Sequence, residues 1–333
     1  MSPASAPRSI RFPLKTTIAA VCLVMAGGIG TWLWLGSGGA SGTCQELVGD
    51  KRIRSALGSE YRSHLSCSEL GAAVKRATMG ATAGRHSLQQ ARSMQNLLLS
   101  MDDTAGTGSA EVEPALAVPF SEALADYADD TDQILTSVNV DYIRADTSST
   151  SPWQDEAGVH MSVSVDSLLH VVRAISHSPA AYATVREAAT RHISADLAAT
   201  PRSAGKDTLS LRAKLGARIL GSLDGVAEKV TQAQGRGQAQ KWGADVVARL
   251  SANAVAPPAY HADPTGHLLN SWKRELKDAG PKNALTRLEA QSMDMTRLWA
   301  QGLGLDQGLK DSLPYDSRDN AAAARTDALS KLR

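Results

Sequence analysis

The sequence predicts an all-α protein, with an N-terminal transmembrane helix followed by an extracytoplasmic domain of several helices. Three observations predict this class. Apolar residues recur at three- and four-residue spacing along much of the chain, which is the period of an amphipathic helix. No run of alternating β-branched residues marks a strand. Aromatic residues make up 4% of the 333 residues, so the core must be built from Ala, Leu, Val and Ile, which suits close helix–helix contact.

The composition excludes several classes of protein. Lys and Arg number 35 and Asp and Glu number 34, a formal net charge of +1, so no nucleic-acid partner is predicted. A hydrophobic fraction of 43% is too high for a wholly disordered chain. The 13 prolines and 27 glycines are too few for a collagen-like or Pro-rich architecture.

The N-terminus carries the pattern of a membrane span. Residues 16–35 read TTIAAVCLVMAGGIGTWLWL and include no charged residue, and about 20 apolar residues are needed to cross the hydrocarbon core of a bilayer. The residues before this run include Arg8, Arg11 and Lys15 and no acid. Because positive charge favours the cytoplasmic side, we expect a cytoplasmic N-terminus and a C-terminal domain outside the cell membrane.

The predicted organisation has four parts. Residues 1–15 are cytoplasmic, residues 16–36 form an uncleaved transmembrane signal-anchor, residues 37–43 form a Gly/Ser stalk, and residues 44–333 form the extracytoplasmic helical domain. Two alternatives stay open. One is cleavage as a secretory signal, although the apolar run exceeds the usual 7–15 residues. The other is lipidation at Cys44, although the residues before it fit that signal poorly.

Two cysteines on the predicted outer side stand in matching S/T-C-x-E-L patterns. Thr43 and Ser66 are predicted N-caps, each with Glu three residues later, which is a capping box. Cys44 and Cys67 would then each be the first residue of a helix. Since disulfides persist outside the cytoplasm, we predict a Cys44–Cys67 disulfide, and closing this loop would stabilise the fold by about 3 kcal/mol. The alternatives are two free thiols or a metal site, and two cysteines alone fit zinc poorly.

The first half of the domain reads as helices broken by turns. After the Cys44 helix, a helical pattern runs over 67–100 and is interrupted at Gly80 and Gly84. A second helix is predicted over 121–138, with Ser121 as its N-cap. Residues 145–157 are predicted to form a polar connection.

A pair of antiparallel helices is predicted next. A helix over 158–177 has a strong apolar face, and Ser178-Pro179 begins the following helix with Pro at its first position. Leu168, Leu169 and Val172 belong to the apolar face of the first helix. They are core residues if the face is fully buried, and a possible partner surface if part of it stays exposed.

The second half of the domain continues in the same way. Turn-forming residues separate further predicted helices over 208–233, 239–251, 265–279, 282–301 and 320–332.

The polar residues that could form a catalytic or metal-binding site can each be explained as solvated or helix-capping side chains. His261, Asp263 and His267 lie in a loop, where such residues are usually solvated or act as caps. Four acids between positions 126 and 132 lack the order and the Glu of a calcium loop. We expect them to form an acidic surface, with weak cation binding as the alternative: Asp126, Asp129, Asp130 and Asp132.

A further polar stripe lies on the helix opposite the Leu168 face, and we expect it to face solvent: Asp166, His170, Arg173 and His177. No G-x-S-x-G, H-E-x-x-H, C-x-x-C pair or Gly-rich dinucleotide turn occurs. The sequence therefore predicts no catalytic, cofactor-binding or metal-binding residue and no cofactor, and it indicates a protein that is not an enzyme.

Two stretches resemble known proteins. CQELVGDKRIRSALG followed by CSELGAAVKRATMG resembles the Cys-bearing start of actinobacterial cell-envelope proteins that directly follow an anchor or lipoprotein signal. VDSLLHVVRAISHSPAAYATVREAATRHISADL resembles a helical module of large actinobacterial surface and secreted proteins, some of them associated with WXG-type secretion. The resemblance extends over about residues 44–300. It implies an all-α extracytoplasmic domain. It does not identify any residue of this sequence as catalytic.

These observations predict an envelope protein that acts by contact. We expect an interaction or assembly module that is anchored in the membrane by residues 16–36 and binds a protein partner. The expected partner is a component of the envelope or of a secretion system. The alternative is a secreted or anchored hydrolase or effector with an unrecognised catalytic site. A pocket with several strongly perturbed titratable groups would favour that alternative.

Overall fold

A computed structural model describes residues 40–105, 111–146, 151–280 and 282–333. The predicted cytoplasmic N-terminus, the signal-anchor and the start of the stalk lie outside these residues. None of the helices in the described ranges is long and apolar enough to cross a membrane. The described residues belong to one compact unit, Gly38–Arg333.

The domain is mostly helical, as predicted. Its helices in the described ranges are α1 (Ala40–Gly49), α2 (Lys51–Leu57), α3 (Cys67–Thr78), α4 (Leu88–Ala105), α5 (Pro114–Asp126), α6 (Ala128–Thr136), α7 (Val140–Asp146), α8 (Val165–Ser176), α9 (Pro179–Ala199), α10 (Lys206–Gln232), α11 (Arg236–Ser251), α12 (Pro264–Ala279), α13 (Ala284–Gly302) and α14 (Gln307–Lys331). A short 3-10 turn, Gly58–Glu60, follows α2.

A small hairpin follows α7, and its first strand lies within the predicted polar connection over 145–157. Strand β1 (Trp153–Gln154) pairs antiparallel with β2 (Val159–His160). The Asp155 carboxylate accepts the backbone N–H groups of Ala157 at 2.7 Å and Gly158 at 3.2 Å. An Asp side chain that closes a turn in this way allows such short strands to form.

The first helix begins earlier than predicted. Because α1 starts at Ala40, residues 40–43 are helical rather than part of a stalk, and Thr43 is a buried helix residue, not an N-cap. The second capping box is confirmed: Ser66 accepts the Glu69 N–H, and the Glu69 carboxylate accepts the Ser66 N–H at 2.9 Å. The S/T-C-x-E-L pattern therefore predicted the start of α3 correctly and the start of α1 wrongly.

The disulfide is confirmed. Cys44 in α1 is bonded to Cys67 at the start of α3, with 5.5 Å between their Cα atoms, which is the usual spacing for a disulfide. Both residues are buried in the hydrophobic core. The bond fastens the first helix of the domain to α3.

Helix α5 begins at Pro114, so the prediction of an N-cap at Ser121 was wrong. Ser121 lies inside α5, and its buried hydroxyl donates to the Val118 carbonyl at 2.7 Å. Pro119 is also inside this helix and packs against α3 at Gly71, where a Cβ would lie 2.8 Å from the proline ring. The predicted continuous helix to Val138 is broken at Tyr127.

Helices α8 and α9 lie in the core. Ser178 caps α9 and Pro179 occupies its first turn, as predicted. Leu168, Leu169 and Val172 are 0%, 1% and 2% exposed, so the possible partner surface at these residues was wrong. Helices α4, α5, α9 and α10 all pack against α8 and cover its apolar face.

The later helices match the predicted ranges except at the C-terminus. Helix α14 begins at Gln307, not near position 320, because Asp306 caps it and the buried Pro314 is accommodated inside it. Helices α10 and α14 approach closely at Gly221, where a Cβ would lie 2.7 Å from the carbonyl carbon of Ala321.

A buried arginine joins three of these helices. The Arg186 guanidinium of α9 donates to Asp224 of α10 at 2.7 Å and to the Leu288 carbonyl of α13 at 2.6 Å. It also donates to Tyr182 and Gln291. Burial raises the pKa of Asp224, and the adjacent Arg186 opposes that shift. Because the buried guanidinium donates to four acceptors, we interpret this cluster as a contact that holds the helices together.

Candidate functional site

The acidic segment, Asp126–Asp132, spans the break between α5 and α6. Because the helix is interrupted at Tyr127, its acids point in different directions. The side chains of Asp126, Asp130 and Asp132 are 5%, 5% and 4% exposed, whereas that of Asp129 is 59% exposed. The predicted acidic surface was therefore wrong for three of the four acids. Isolated buried carboxylates would be costly, and each of the three is bonded to a histidine.

Asp126 is bonded to His86 in the loop before α4. Its Oδ2 lies 2.9 Å from His86 Nε2, and its Oδ1 accepts the Gly84 N–H at 2.9 Å. The imidazole stacks on the Tyr127 ring with 3.6 Å between centroids. These contacts fix the loop against the α5–α6 break.

Asp130 is bonded to His160 at the end of β2. His160 Nδ1 lies 2.9 Å from Asp130 Oδ1, and Nε2 lies 3.1 Å from Asp155 Oδ1. The Tyr142 hydroxyl donates to the same Asp130 oxygen, and the Met161 N–H donates to Oδ2 at 3.1 Å. The hydrogen bond to Asp130, against an opposing effect of burial, raises the pKa of His160 to about 9. The ring is therefore an imidazolium between two carboxylates at neutral pH.

Asp132 is bonded to His192 of α9. Its Oδ2 lies 2.6 Å from His192 Nδ1, and His192 Nε2 lies 3.6 Å from Asp129 and 3.9 Å from Asp196. Burial raises the pKa of Asp132 to about 6, and the hydrogen bond to Asp132 raises the pKa of His192 to about 9. In the described part of the chain, no group donates a hydrogen bond to the buried Oδ1 of Asp132.

Two cavities flank the turn between α6 and α7. The His192 cavity, about 200 Å³, is lined by the charged or titratable residues Asp132, His192, Asp196 and Arg212 together with uncharged polar and apolar side chains. The Tyr142 cavity, about 250 Å³, is lined by Ile134, Ser137, Tyr142, Ile143, Val163 and Val165. The segment between them, Ser137–Ile143, is called here the α6–α7 corner.

The α6–α7 corner exposes apolar side chains. Val138, Val140 and Ile143 are 52%, 56% and 44% exposed. Ser137 ends α6 in the left-handed conformation, with φ 51°, and this turn separates the two cavities. The corner therefore presents apolar groups beside the charged wall formed by His192 and its carboxylates.

The polar stripe on α8 does not face solvent as expected. His170 Nδ1 lies 2.9 Å from Asp102 of α4, and Nε2 donates to the Lys331 carbonyl of α14 at 3.1 Å. His177 lies 3.2 Å from Glu111, and burial lowers its pKa. Asp166 is exposed and pairs with Lys331. Because α4 and α14 pack on α8, most of the stripe is an interhelical contact.

Of the three residues expected in a loop, His261 and Asp263 precede α12 and His267 lies in its first turn; Asp263 provides a helix cap, one of the two roles expected. Asp263 caps α12 and accepts the Gly266 N–H at 2.8 Å, while His267 Nδ1 donates to the Pro258 carbonyl at 2.7 Å. A larger cavity, about 760 Å³, lies at the starts of α11 and α13, and its charged side chains are all exposed.

Comparison with protein-family models, with curated proteins and with solved structures finds no match to this chain. The resemblance to actinobacterial envelope modules therefore stays a prediction, and the argument for function rests on the site itself.

Two groups of donors in the described residues have metal-binding spacing. Cys44 and Cys67 lie near Glu113, but their sulfurs are bonded to each other and are not available as thiolates. Asp129, Asp130 and His160 each place one donor atom within 4.8 Å of the other two. Reasoning from the sequence singled out these two acids but not the histidine, which lies 30 residues from Asp130 along the chain.

Proposed function

We propose that the protein is an extracytoplasmic interaction module of the cell envelope, which binds a protein partner through the α6–α7 corner and acts by contact rather than by catalysis. The observation that carries this proposal is the grouping of three exposed apolar side chains, Val138, Val140 and Ile143, within six positions. Large apolar residues that are exposed singly are common on monomers, whereas clustered ones mark interaction sites.

The other large apolar residues exposed on the described surface are far apart in the sequence: Leu88, Leu211, Val255 and Tyr315. Val255 is 59% exposed, so it resembles Val140 in type and exposure but lacks exposed apolar neighbours in the sequence. This difference favours the corner over the other positions as a binding surface.

Charge around the corner indicates the chemistry of the partner. Asp129 and Asp196, with side chains 59% and 52% exposed, approach His192, which lines the same cavity as Val138. Arg212 also lines this cavity, 3.8 Å from Asp196, but the carboxylates of Asp129, Asp132 and Asp196 outnumber the cationic groups. An apolar surface with such an acidic rim fits a protein segment that carries apolar side chains flanked by Lys or Arg. The same acids would repel an anionic lipid surface, so a protein partner is favoured over the membrane.

The location is supported by the sequence and by the disulfide. Residues 16–36 have the length and the basic flank of a signal-anchor, and a disulfide such as Cys44–Cys67 persists in an oxidising compartment. A reporter that is active only in the cytoplasm, fused after Arg333, should give no signal. A strong signal from this fusion would contradict the proposed orientation.

Two matched variants of the full chain test the binding surface. Val140→Asp should abolish recovery of a stoichiometric partner from native membranes, while Val255→Asp should leave it unchanged. Neither variant should alter the melting temperature, because both side chains are exposed. Equal recovery with both variants would refute the assignment of the corner.

Synthetic peptides test the chemistry of the partner. An amphipathic peptide of Leu and Lys should bind the wild-type chain more tightly than the same peptide with Glu in place of Lys, and Val140→Asp should not remove the preference for Lys. Fluorescence anisotropy measures both affinities. Equal or reversed affinities would contradict the acidic rim.

One observation favours a second candidate, a hydrolase. The pKa values of Asp132 and His192 are shifted beside a cavity, and such groups occur at catalytic sites. However, both ring nitrogens of His192 face carboxylates, so the ring is already protonated at neutral pH and is poorly suited to act as a general base. If His192→Gln abolished a hydrolytic activity of the protein while partner recovery persisted, this second function would replace the first.

A further inference from the structure

We propose that Asp129, Asp130 and His160 form a binding site for a divalent transition-metal ion such as Zn²⁺. One carboxylate oxygen of each acid and one ring nitrogen of the histidine lie within 4.8 Å of one another. Imidazole nitrogen and carboxylate oxygen are both ligands of zinc, with bond lengths of about 2.0–2.2 Å. Three such ligands leave further coordination positions for water.

The geometry at His160 agrees with coordination through Nδ1. This nitrogen lies 2.9 Å from Asp130 Oδ1, and two ligand atoms of one tetrahedral zinc ion are about 3.4 Å apart at these bond lengths. A separation of the two side chains by about 0.5 Å would therefore admit the ion. The opposite nitrogen, Nε2, lies 3.1 Å from Asp155. A carboxylate that accepts the second ring N–H is the usual support of a metal-binding histidine, so Asp155 is a positioning residue.

The other ligands are held in suitable ways. Asp130 is fixed by the Met161 N–H on Oδ2 and by the Tyr142 hydroxyl on Oδ1, so its carboxylate is already oriented. Asp129 has a side chain 59% exposed and provides an entry from solvent. A buried ligand pair with one exposed ligand allows an ion to enter without unfolding the hairpin.

The surrounding charge favours a cation. Asp132 lies one helical turn after Asp129, is 3% exposed, and has a buried oxygen that no group in the described ranges bonds. Asp155 and Asp196 add two further carboxylates around the histidines. With Asp130, these five carboxylates outnumber the two imidazoles and Arg212, which lies 3.8 Å from Asp196, and a divalent ion would reduce the excess negative charge.

Titration of the full chain with Zn²⁺ alone, after treatment with a chelator, tests the site. Isothermal titration calorimetry should show one equivalent bound. Mg²⁺, which prefers all-oxygen sites, should bind at least tenfold more weakly. Equal binding of Mg²⁺ would show that the imidazole is not a ligand and would overturn the proposal.

Variants locate the ion. Asp129→Asn changes an exposed side chain and should weaken Zn²⁺ binding at least tenfold with an unchanged circular dichroism spectrum, and His160→Gln should do the same if it folds. Asp155→Asn should weaken binding about 10–100-fold. The exposed control Asp319→Asn should have no effect. Full affinity in Asp129→Asn, or a loss caused by Asp196→Asn instead, would place the ion elsewhere and refute the assignment.

The test does not depend on the proposed partner, because metal binding is measured on the protein alone. Weakened Zn²⁺ binding in Asp155→Asn, a residue outside the acidic rim, with normal partner recovery would leave both proposals standing as separate properties.

Discussion

Gly221→Ala tests the tightest helix contact in the domain. The new Cβ would lie 2.7 Å from both the Cα and the carbonyl carbon of Ala321, and closer still to the carbonyl oxygen. Carbon atoms in contact prefer about 3.5–4.0 Å, so α14 must move away from α10 by about 1 Å. The atoms that clash belong to the backbone, and no change of side-chain rotamer relieves the contact.

The expected magnitude combines two opposing effects. Overpacking of a core contact costs about 1–3 kcal/mol, and replacing a helical Gly by Ala returns about 1 kcal/mol through helix propensity. Because the clash is with backbone, we take the upper end of the first range and expect a net loss of about 2 kcal/mol. In a domain of this size, each kcal/mol lowers the melting temperature by about 2–4 °C.

The assay is urea unfolding followed by circular dichroism under non-reducing conditions. Gly237→Ala is the matched control, since this glycine is in α11 and a Cβ there meets no atom within 4 Å. It should be neutral or slightly stabilising. The double variant Gly221→Ala/Ala321→Gly should not recover stability, because removing the Ala321 methyl group leaves its backbone in place. Stability of Gly221→Ala equal to that of Gly237→Ala would refute the close approach of α10 and α14.

Three further outcomes are expected. Cys44→Ser and Cys67→Ser should each lower the free energy of unfolding by about 3 kcal/mol, and the double variant should be little worse in urea unfolding than either single one. Leu168→Ala should cost about 2–5 kcal/mol in the same assay, and an unchanged midpoint would contradict its burial. His177 has a lowered pKa in the folded state, so acid should protonate the unfolded chain first and destabilise the fold as the pH drops below about 6.5. His177→Gln should therefore lose less stability than wild type between pH 7 and pH 5, and an equal loss would show that His177 does not cause the dependence.

The features of the fold that the sequence predicted correctly are mostly local. The Ser66 capping box involves residues three positions apart, and the Ser178-Pro179 start of α9 depends on neighbouring residues. Such contacts form within one helical turn, so sequence spacing alone describes them. The disulfide was predicted although Cys44 lies inside α1, because pairing requires proximity and not a common position in each helix.

The errors arise where packing overrides a local pattern. Thr43 and Ser121 have side chains typical of N-caps, but both lie inside helices that begin earlier and bury them. Pro119 and Pro314 lie within packed helices, although proline inside a helix removes a hydrogen bond and usually kinks or breaks it. Residue preferences are weak compared with burial of an apolar face.

The candidate site was only partly predictable for a related reason. Asp130 and Asp132 were noticed as part of an acidic cluster, but their partners, His160 and His192, lie 30 and 60 residues away. The pairing depends on how β2 and α9 pack against α6, and no spacing in the sequence encodes it. A buried carboxylate requires an ionic or hydrogen-bonding partner. The acid-rich turn among apolar residues was therefore the feature of the sequence that could have indicated such pairs.

The position of the Cys44–Cys67 bond determines how the domain responds to mechanical tension. A pull on the chain from its N-terminal side reaches the folded domain at Ala40, and the covalent crosslink lies four residues further on. From Cys44, the load passes directly to α3, so α2 and the loop that follows it are shielded. The oxidised domain should therefore yield by separating α3 from its neighbours, whereas the reduced domain should unravel in order from α1.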